Sequence, residues 1–193
     1  PRSCDLCPRR CGANRAAGER GACGAAGDVL IARAALHFWE EPPISGSAGS
    51  GTVFFAHCPL RCSYCQNTVI AHGSLGYAVE CVDLRDACLD LERQGALNVN
   101  FVTPTHYAPH VRAAVLAARD ADVVDVSLTD FKYADPALGV RYSSVSDYPQ
   151  RALEALAAMI DEVGSPVYDK YRGDERMTRG VIVRHLLLPG HVD

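Results

Sequence analysis

The 193-residue chain is 48% apolar and 22% charged with a formal net charge of −4, the composition of a globular protein that buries a sizeable core. That balance excludes a broad nucleic-acid footprint, and no apolar run reaches the ~18 residues of a membrane span. Nine cysteines at metal-ligand spacings, beside amphipathic helical patterns, indicate metal-binding thiolates in a reducing cytoplasm rather than a secreted disulfide framework.

Residues 1–27 are rich in Cys, Arg and Gly and carry no apolar period. Cys4, Cys7, Cys11 and Cys23 follow the spacing Cys-x2-Cys-x3-Cys-x11-Cys. Four thiolates can close a site around structural zinc or a second iron–sulfur cluster, and a metal is the obvious way to order a segment so poor in apolar side chains; the alternative is a segment that stays disordered or redox-reactive. Arg2, Arg9, Arg10, Arg15 and Arg20 in the same region read as a solvated basic face rather than a phosphate site. Residues 28–193 form the main predicted domain.

Within it, 28–39 is strand-like and 42–51 is a Pro/Gly/Ser loop. TVFFA, 52–56, is a short buried strand. A helix is predicted over about 83–94, with Leu84, Ala87, Cys88 and Leu91 on one face, Asp83 as N-cap and Gly95 as the stop. NVNFV, 98–102, is the next strand. A helix over about 108–119 follows, with Val111, Ala114, Val115 and Ala118 on one face. VVDVSLTDF, 123–131, is a third strand. A helix over about 149–163 buries Leu153, Leu156, Ile160 and Val163. A polar loop spans 164–179, and VIVRHLLL, 181–188, is a fourth strand. Strands alternating with helices predict βαβ units and a parallel sheet, in which chemistry sits at the carboxyl ends of the strands. Cys81 and Cys88 read as core thiols.

The strand TVFFA runs directly into HCPLRCSYCQN, residues 57–67, which sets Cys58, Cys62 and Cys65 at Cys-x3-Cys-x2-Cys. A four-iron cluster held by three thiolates keeps one iron free of protein, a position for substrate. The alternative is zinc closed by His57 or by another cysteine.

The context GSGTVFFAHCPLRCSYCQN, with Tyr64 before the last cysteine, resembles the radical S-adenosylmethionine superfamily. More narrowly, it is similar to the pyruvate formate-lyase activating-enzyme-like iron–sulfur proteins that carry an N-terminal cysteine motif. The resemblance implies an α/β fold, a partial (β/α) barrel. It implies that Cys58, Cys62 and Cys65 hold a 4Fe–4S cluster and that Tyr64 lies against the adenine of S-adenosylmethionine. Reductive cleavage of that cofactor would give methionine and a 5′-deoxyadenosyl radical that abstracts hydrogen. For an activating enzyme the target is a glycine in a glycyl-radical protein partner, with a flavodoxin- or ferredoxin-type electron donor.

Other strand ends carry further candidates. Val102-Thr103-Pro104-Thr105-His106 stands where the superfamily has a glycine-rich turn; carbonyls and the hydroxyls of Thr103 and Thr105 can accept bonds from the cofactor's ammonium. His106 reads as a structural histidine. Asp130 and Lys132, two apart on a strand end, point the same way, as an ion pair or as the Asp-x-Lys of activating enzymes near the cofactor. Arg184 resembles a family position near the ligand carboxylate, and His191 is a weaker candidate.

Ala117 to Asp122 run almost straight into the next strand, so one βα unit is expected to be missing there. The chain opens on Pro1 and stops just after a strand-like run, the pattern of a piece of a longer protein. Two other readings compete with glycyl-radical activation: the same chemistry on a small molecule or RNA, and a metal-binding module without catalysis.

Overall fold

In the computed structural model, residues 3–73, 75–118, 125–171, 173–185 and 190 are described. The chain divides into two compact units, Pro1–Arg61 with Cys65–Val123, and Cys62–Tyr64 with Val124–Asp193.

The first unit opens with the cysteine-rich segment and continues through β1 (Val29–His37), α1 (Pro42–Ser45), β2 (Ser50–Phe55), α2 (Thr68–Ala71), β3 (Tyr77–Val79), α3 (Cys81–Arg93), β4 (Val99–Val102) and α4 (Ala108–Ala118). Its sheet has the order β3-β1-β2-β4. The β2 and β4 strands are parallel, with Phe54 opposite Val102, and α3 lies on the crossover between them. The β1 strand is antiparallel to both β2 and β3, so this sheet is mixed rather than purely parallel.

The α3 helix buries Leu84, Cys88 and Leu91, the face its period predicts. Its start differs from the expected Asp83 cap. Glu80 is the N-cap, and Asp83 answers from N3 by accepting the Glu80 amide, so the two form a capping box. Gly95, at φ 92°, ends it as predicted. The fit between α3 and β2 depends on Gly51. A Cβ there would stand 2.8 Å from Leu91 Cβ and 3.1 Å from Ala96 Cβ. On α4 the predicted face is inward, with Ala114 and Ala118 buried and Val111 half-buried.

The second unit holds β5 (Asp125–Phe131), α5 (Pro136–Ser143), α6 (Tyr148–Val163), β6 (Val167–Tyr171) and β7 (Asp174–His185), with sheet order β5-β7-β6. The β5 and β7 strands are parallel, and β6 runs antiparallel to β7. The predicted polar loop over 164–179 is therefore largely a hairpin. Its polarity comes from cross-strand charge: Asp169 faces Arg176 in register and pairs with it at 2.8 Å. The α5 helix has a local start signal, since the Asp135 side chain accepts the Ala137 amide at 2.7 Å and Pro136 occupies the first turn. On α6 the predicted burial fails. Leu153 and Ile160 are exposed, and no described side chain of that helix is buried.

Among the described residues no sheet closes into a barrel, and no helix is long and apolar enough to cross a membrane. The expected deletion falls largely on residues 119–122, and His191 also lies outside the described residues.

Candidate functional site

In the first unit the parallel pairing of β2 and β4 sets their carboxyl ends side by side. Both ends carry a left-handed residue: His57 at φ 69° and Thr103 at φ 63°, with Arg61 at φ 52° further along the cysteine loop. Residues with a Cβ in this region cost on the order of 1 kcal/mol each and persist where the surroundings fix them. Cys58 and Cys65 are half-buried cysteines outside any disulfide, and the Thr68 hydroxyl donates to the Cys65 carbonyl.

His57 is buried, and its Nδ1 has no hydrogen-bond partner. Burial, with Arg20, Arg61 and Arg15 nearby, pushes its pKa below the usual histidine value, so the ring is neutral. Thr105 is exposed on a short 3-10 turn, Thr105–Tyr107, while His106 beside it is buried. His106 Nε2 meets the Ala56 carbonyl at 3.1 Å, and burial drives its pKa down to about 4. This is the structural role expected of it.

In the second unit Cys62 and Tyr64 sit in an aromatic cluster. The Ser63 amide donates to the Tyr142 carbonyl at 2.9 Å. The Ser143 hydroxyl donates to Cys62 Sγ at 3.2 Å and meets the Tyr133 hydroxyl at 2.9 Å, and Tyr133 is in turn bonded to the Tyr64 hydroxyl. Tyr64 stands edge-on to both Tyr133 and Tyr142. Burial and the Tyr133 contact raise the Tyr64 pKa, so it is a neutral phenol.

Asp130, Lys132 and Arg184 come together in the same unit. Lys132 Nζ lies 2.9 Å from Asp130 Oδ2, and Arg184 Nε lies 2.8 Å from Asp130 Oδ1. The parallel register sets Asp130 opposite Arg184. Burial alone would raise the Asp130 pKa, but the hydrogen bond and charge of Lys132, with the charge of Arg184, outweigh it and hold the carboxylate low. Tyr148 fixes the strand end by donating its hydroxyl to the Asp130 carbonyl at 2.8 Å and accepting the Lys132 amide at 2.9 Å.

The N-terminal cysteines gather in the first unit. Cys4, Cys7 and Cys23 are buried and Cys11 is exposed, all as free thiols. Desolvation raises the Cys7 pKa, while the amides of Ala13 and Ala22 lower that of Cys11. The basic cluster among them is only partly a solvated face. Arg10 and Arg20 are exposed, whereas Arg15 is buried. Arg15 donates to the Ala26 carbonyl at 2.5 Å and the His106 carbonyl at 2.8 Å and lies over the Tyr107 ring. Arg9 donates to the Pro59 and Leu60 carbonyls of the cysteine loop. Arg2 lies outside the described residues.

Among the described residues, no group of three or more His, Cys, Asp or Glu side chains is already set around one metal position. The donor chemistry of the loop nevertheless fits a thiolate-bound cluster. Its three cysteines are outside any disulfide, and a buried hydroxyl is aimed at the sulfur of Cys62. Three contributors were not foreseen from the sequence: Ser143, Tyr133 and Arg9. The Asp135-Pro136 start of α5 is the local signal that could have pointed toward Ser143.

No family model matches the chain, and no solved structure matches it. It is similar to an uncharacterized protein of Methanocaldococcus jannaschii, 27% identical over a 223-residue alignment that takes in 100% of this chain and 59% of that relative. The chain thus spans less than two thirds of the length of the curated relative it matches.

Proposed function

We propose that the chain carries the core of a radical S-adenosylmethionine enzyme of the glycyl-radical-activating type, working in a reducing cytoplasm, with a partial (β/α) barrel as its parent architecture. The observation that carries this reading is the loop from Cys58 to Cys65. Three cysteines outside any disulfide stand in eight residues directly after a buried parallel strand, with a hydroxyl donated to one of them. Cys58, Cys62 and Cys65 would hold a 4Fe–4S cluster, which would supply the one-electron chemistry for reductive cleavage of S-adenosylmethionine.

The chain's own residues do the positioning. Ser143 spreads the charge of the Cys62 thiolate through its hydrogen bond. Asp130 holds the cationic heads of Lys132 and Arg184 at one strand end, ready for the cofactor's carboxylate. The left-handed Thr103 turns the end of β4 so that backbone carbonyls and its hydroxyl can receive the ammonium. Tyr64 supplies an aromatic wall whose phenol is tied back to Tyr133. The partner would be a glycyl-radical protein, and the electron donor a flavodoxin or ferredoxin.

The test is anaerobic reconstitution with iron and sulfide, followed by dithionite and S-adenosylmethionine. The expected product is 5′-deoxyadenosine. Folded, cluster-loaded protein that yields none overturns the reading. Cys58→Ser is expected to abolish the cluster EPR signal that shifts on adding S-adenosylmethionine, and an unchanged signal would move the ligands elsewhere. A hydrogen-exchange or pull-down signal with a glycyl-radical protein separates the activating role from the same chemistry on a small molecule or RNA.

A further inference from the structure

The N-terminal thiols gather apart from the three-cysteine loop, and they are held for ligation. Cys7 stands within electrostatic reach of Cys4, Cys11 and Cys23, and Cys11 within reach of Cys4. A Cβ on Gly21 would lie 3.2 Å from Cys11 Sγ and 3.5 Å from Cys23 Sγ, so those two sulfurs flank the same point of the backbone. Amides are aimed at the sulfurs. Ala25 donates to Cys23 Sγ at 3.4 Å, the Arg9 amide reaches Cys7, and the Ala13 and Ala22 amides reach Cys11. Amide donors of this kind favour metal-bound thiolates over thiols. The sulfurs do not yet enclose a common point. Four cysteines are nonetheless a complete ligand set for one tetrahedral zinc ion.

Two links run from this site to the cysteine loop within the same unit. Arg9, between Cys7 and Cys11, donates through Nε to the Pro59 carbonyl at 2.7 Å and through Nη2 to the Leu60 carbonyl at 3.2 Å. Gly24, next to Cys23, lies so close to His57 that a Cβ would fall 3.0 Å from its Nδ1. The flanks of the N-terminal ligands therefore touch the flanks of Cys58.

We propose that Cys4, Cys7, Cys11 and Cys23 bind one zinc ion, and that this ion braces the three-cysteine loop by fixing Arg9 on the carbonyls of Pro59 and Leu60. The brace does not depend on what the loop itself holds. Zinc closes the ligand shell and orders residues that have little apolar surface to order them. Arg9 then carries that order into the loop as charge-assisted hydrogen bonds.

The test joins metal analysis to hydrogen exchange on the whole chain. One zinc per chain is expected, retained when Cys58, Cys62 and Cys65 are all changed to Ser, and lost in Cys4→Ser/Cys23→Ser. Removing zinc with a strong chelator should speed exchange at the amides of Leu60 to Tyr64 by roughly tenfold or more while the α3 amides stay protected. Arg9→Ala should give the same loop acceleration with zinc still bound, and this variant decides the matter if chelation loosens α3 as well. Iron–sulfide absorbance at the N-terminal thiols of the triple variant would overturn the zinc assignment. So would loss of zinc from that variant. Unchanged loop exchange in Arg9→Ala would overturn the brace.

Discussion

The Ser143 hydroxyl donates its hydrogen to the sulfur of Cys62 across 3.2 Å, joining the last residue of α5 to the middle cysteine of the loop. A hydrogen bond to a ligating sulfur stabilises the reduced cluster and raises its potential. With the proposed 4Fe–4S cluster bound at Cys58, Cys62 and Cys65, Ser143→Ala is therefore expected to lower its midpoint potential by on the order of tens of millivolts. Redox titration followed by EPR checks this, and Ser143→Thr should restore the value by returning a hydroxyl. An identical potential in the alanine variant would show that the bond does not reach the cluster.

Asp130 sits between Lys132 and Arg184, and both cations hold its pKa low. A carboxylate with a depressed folded pKa contributes stability above its unfolded value near 3.8 that is lost as pH falls through the folded value. Asp130→Asn should cost about 1 kcal/mol at neutral pH, a modest figure because the pairs are partly solvated. The cost should vanish in strong acid. Urea unfolding at pH 7 and again at low pH measures the difference.

His106 carries a second pH dependence of larger size. Burial takes its pKa from 6.5 to about 4, with Arg15 and His57 as the charged neighbours that lower it further and the Ala56 carbonyl opposing. The unfolded chain takes up the proton first. Stability from the neutral ring is thus complete above about pH 6.5 and drains away as the pH falls toward 4, by about 3 kcal/mol in all. His106→Gln should flatten that slope in a stability-against-pH series, leaving the smaller contribution of His57, whose pKa is also lowered.

Gly51 is where β2 passes beneath α3. Gly51→Val would drive a branched side chain into Leu91 and Ala96, which already lie 2.8 Å and 3.1 Å from the position of a Cβ. Overpacking of this kind costs about 1–3 kcal/mol or more. A lowered thermal midpoint with the same circular-dichroism spectrum is the expected result, and a neutral substitution would mean that α3 can slide.

Legibility followed burial. The α3 helix and the two parallel pairs could be read because Leu84, Cys88 and Leu91 repeat at helical spacing, and because β2 and β4 are short apolar runs. The β6–β7 hairpin could not, since its pairing is carried by charges such as Asp169 and Arg176, which look like loop residues in one dimension. The reading of α6 failed in the other direction: Leu153 and Ile160 keep perfect helical spacing, yet spacing says nothing about whether a partner surface exists. In the candidate site, cysteine spacing identified every thiol singled out above. Arg9 and Arg15 were read as a solvated face and Ser143 escaped notice, because their roles depend on contacts 50, 91 and 81 residues away.

The reach of Arg15 also sets an order of events. Its guanidinium ends on the His106 carbonyl, 91 residues later in the chain. On a ribosome that adds roughly 5–20 residues per second, the N-terminal thiols emerge several seconds before that carbonyl exists. During this interval Cys4, Cys7, Cys11 and Cys23 stand without the anchor that Arg15 finds on the His106 carbonyl in the finished fold.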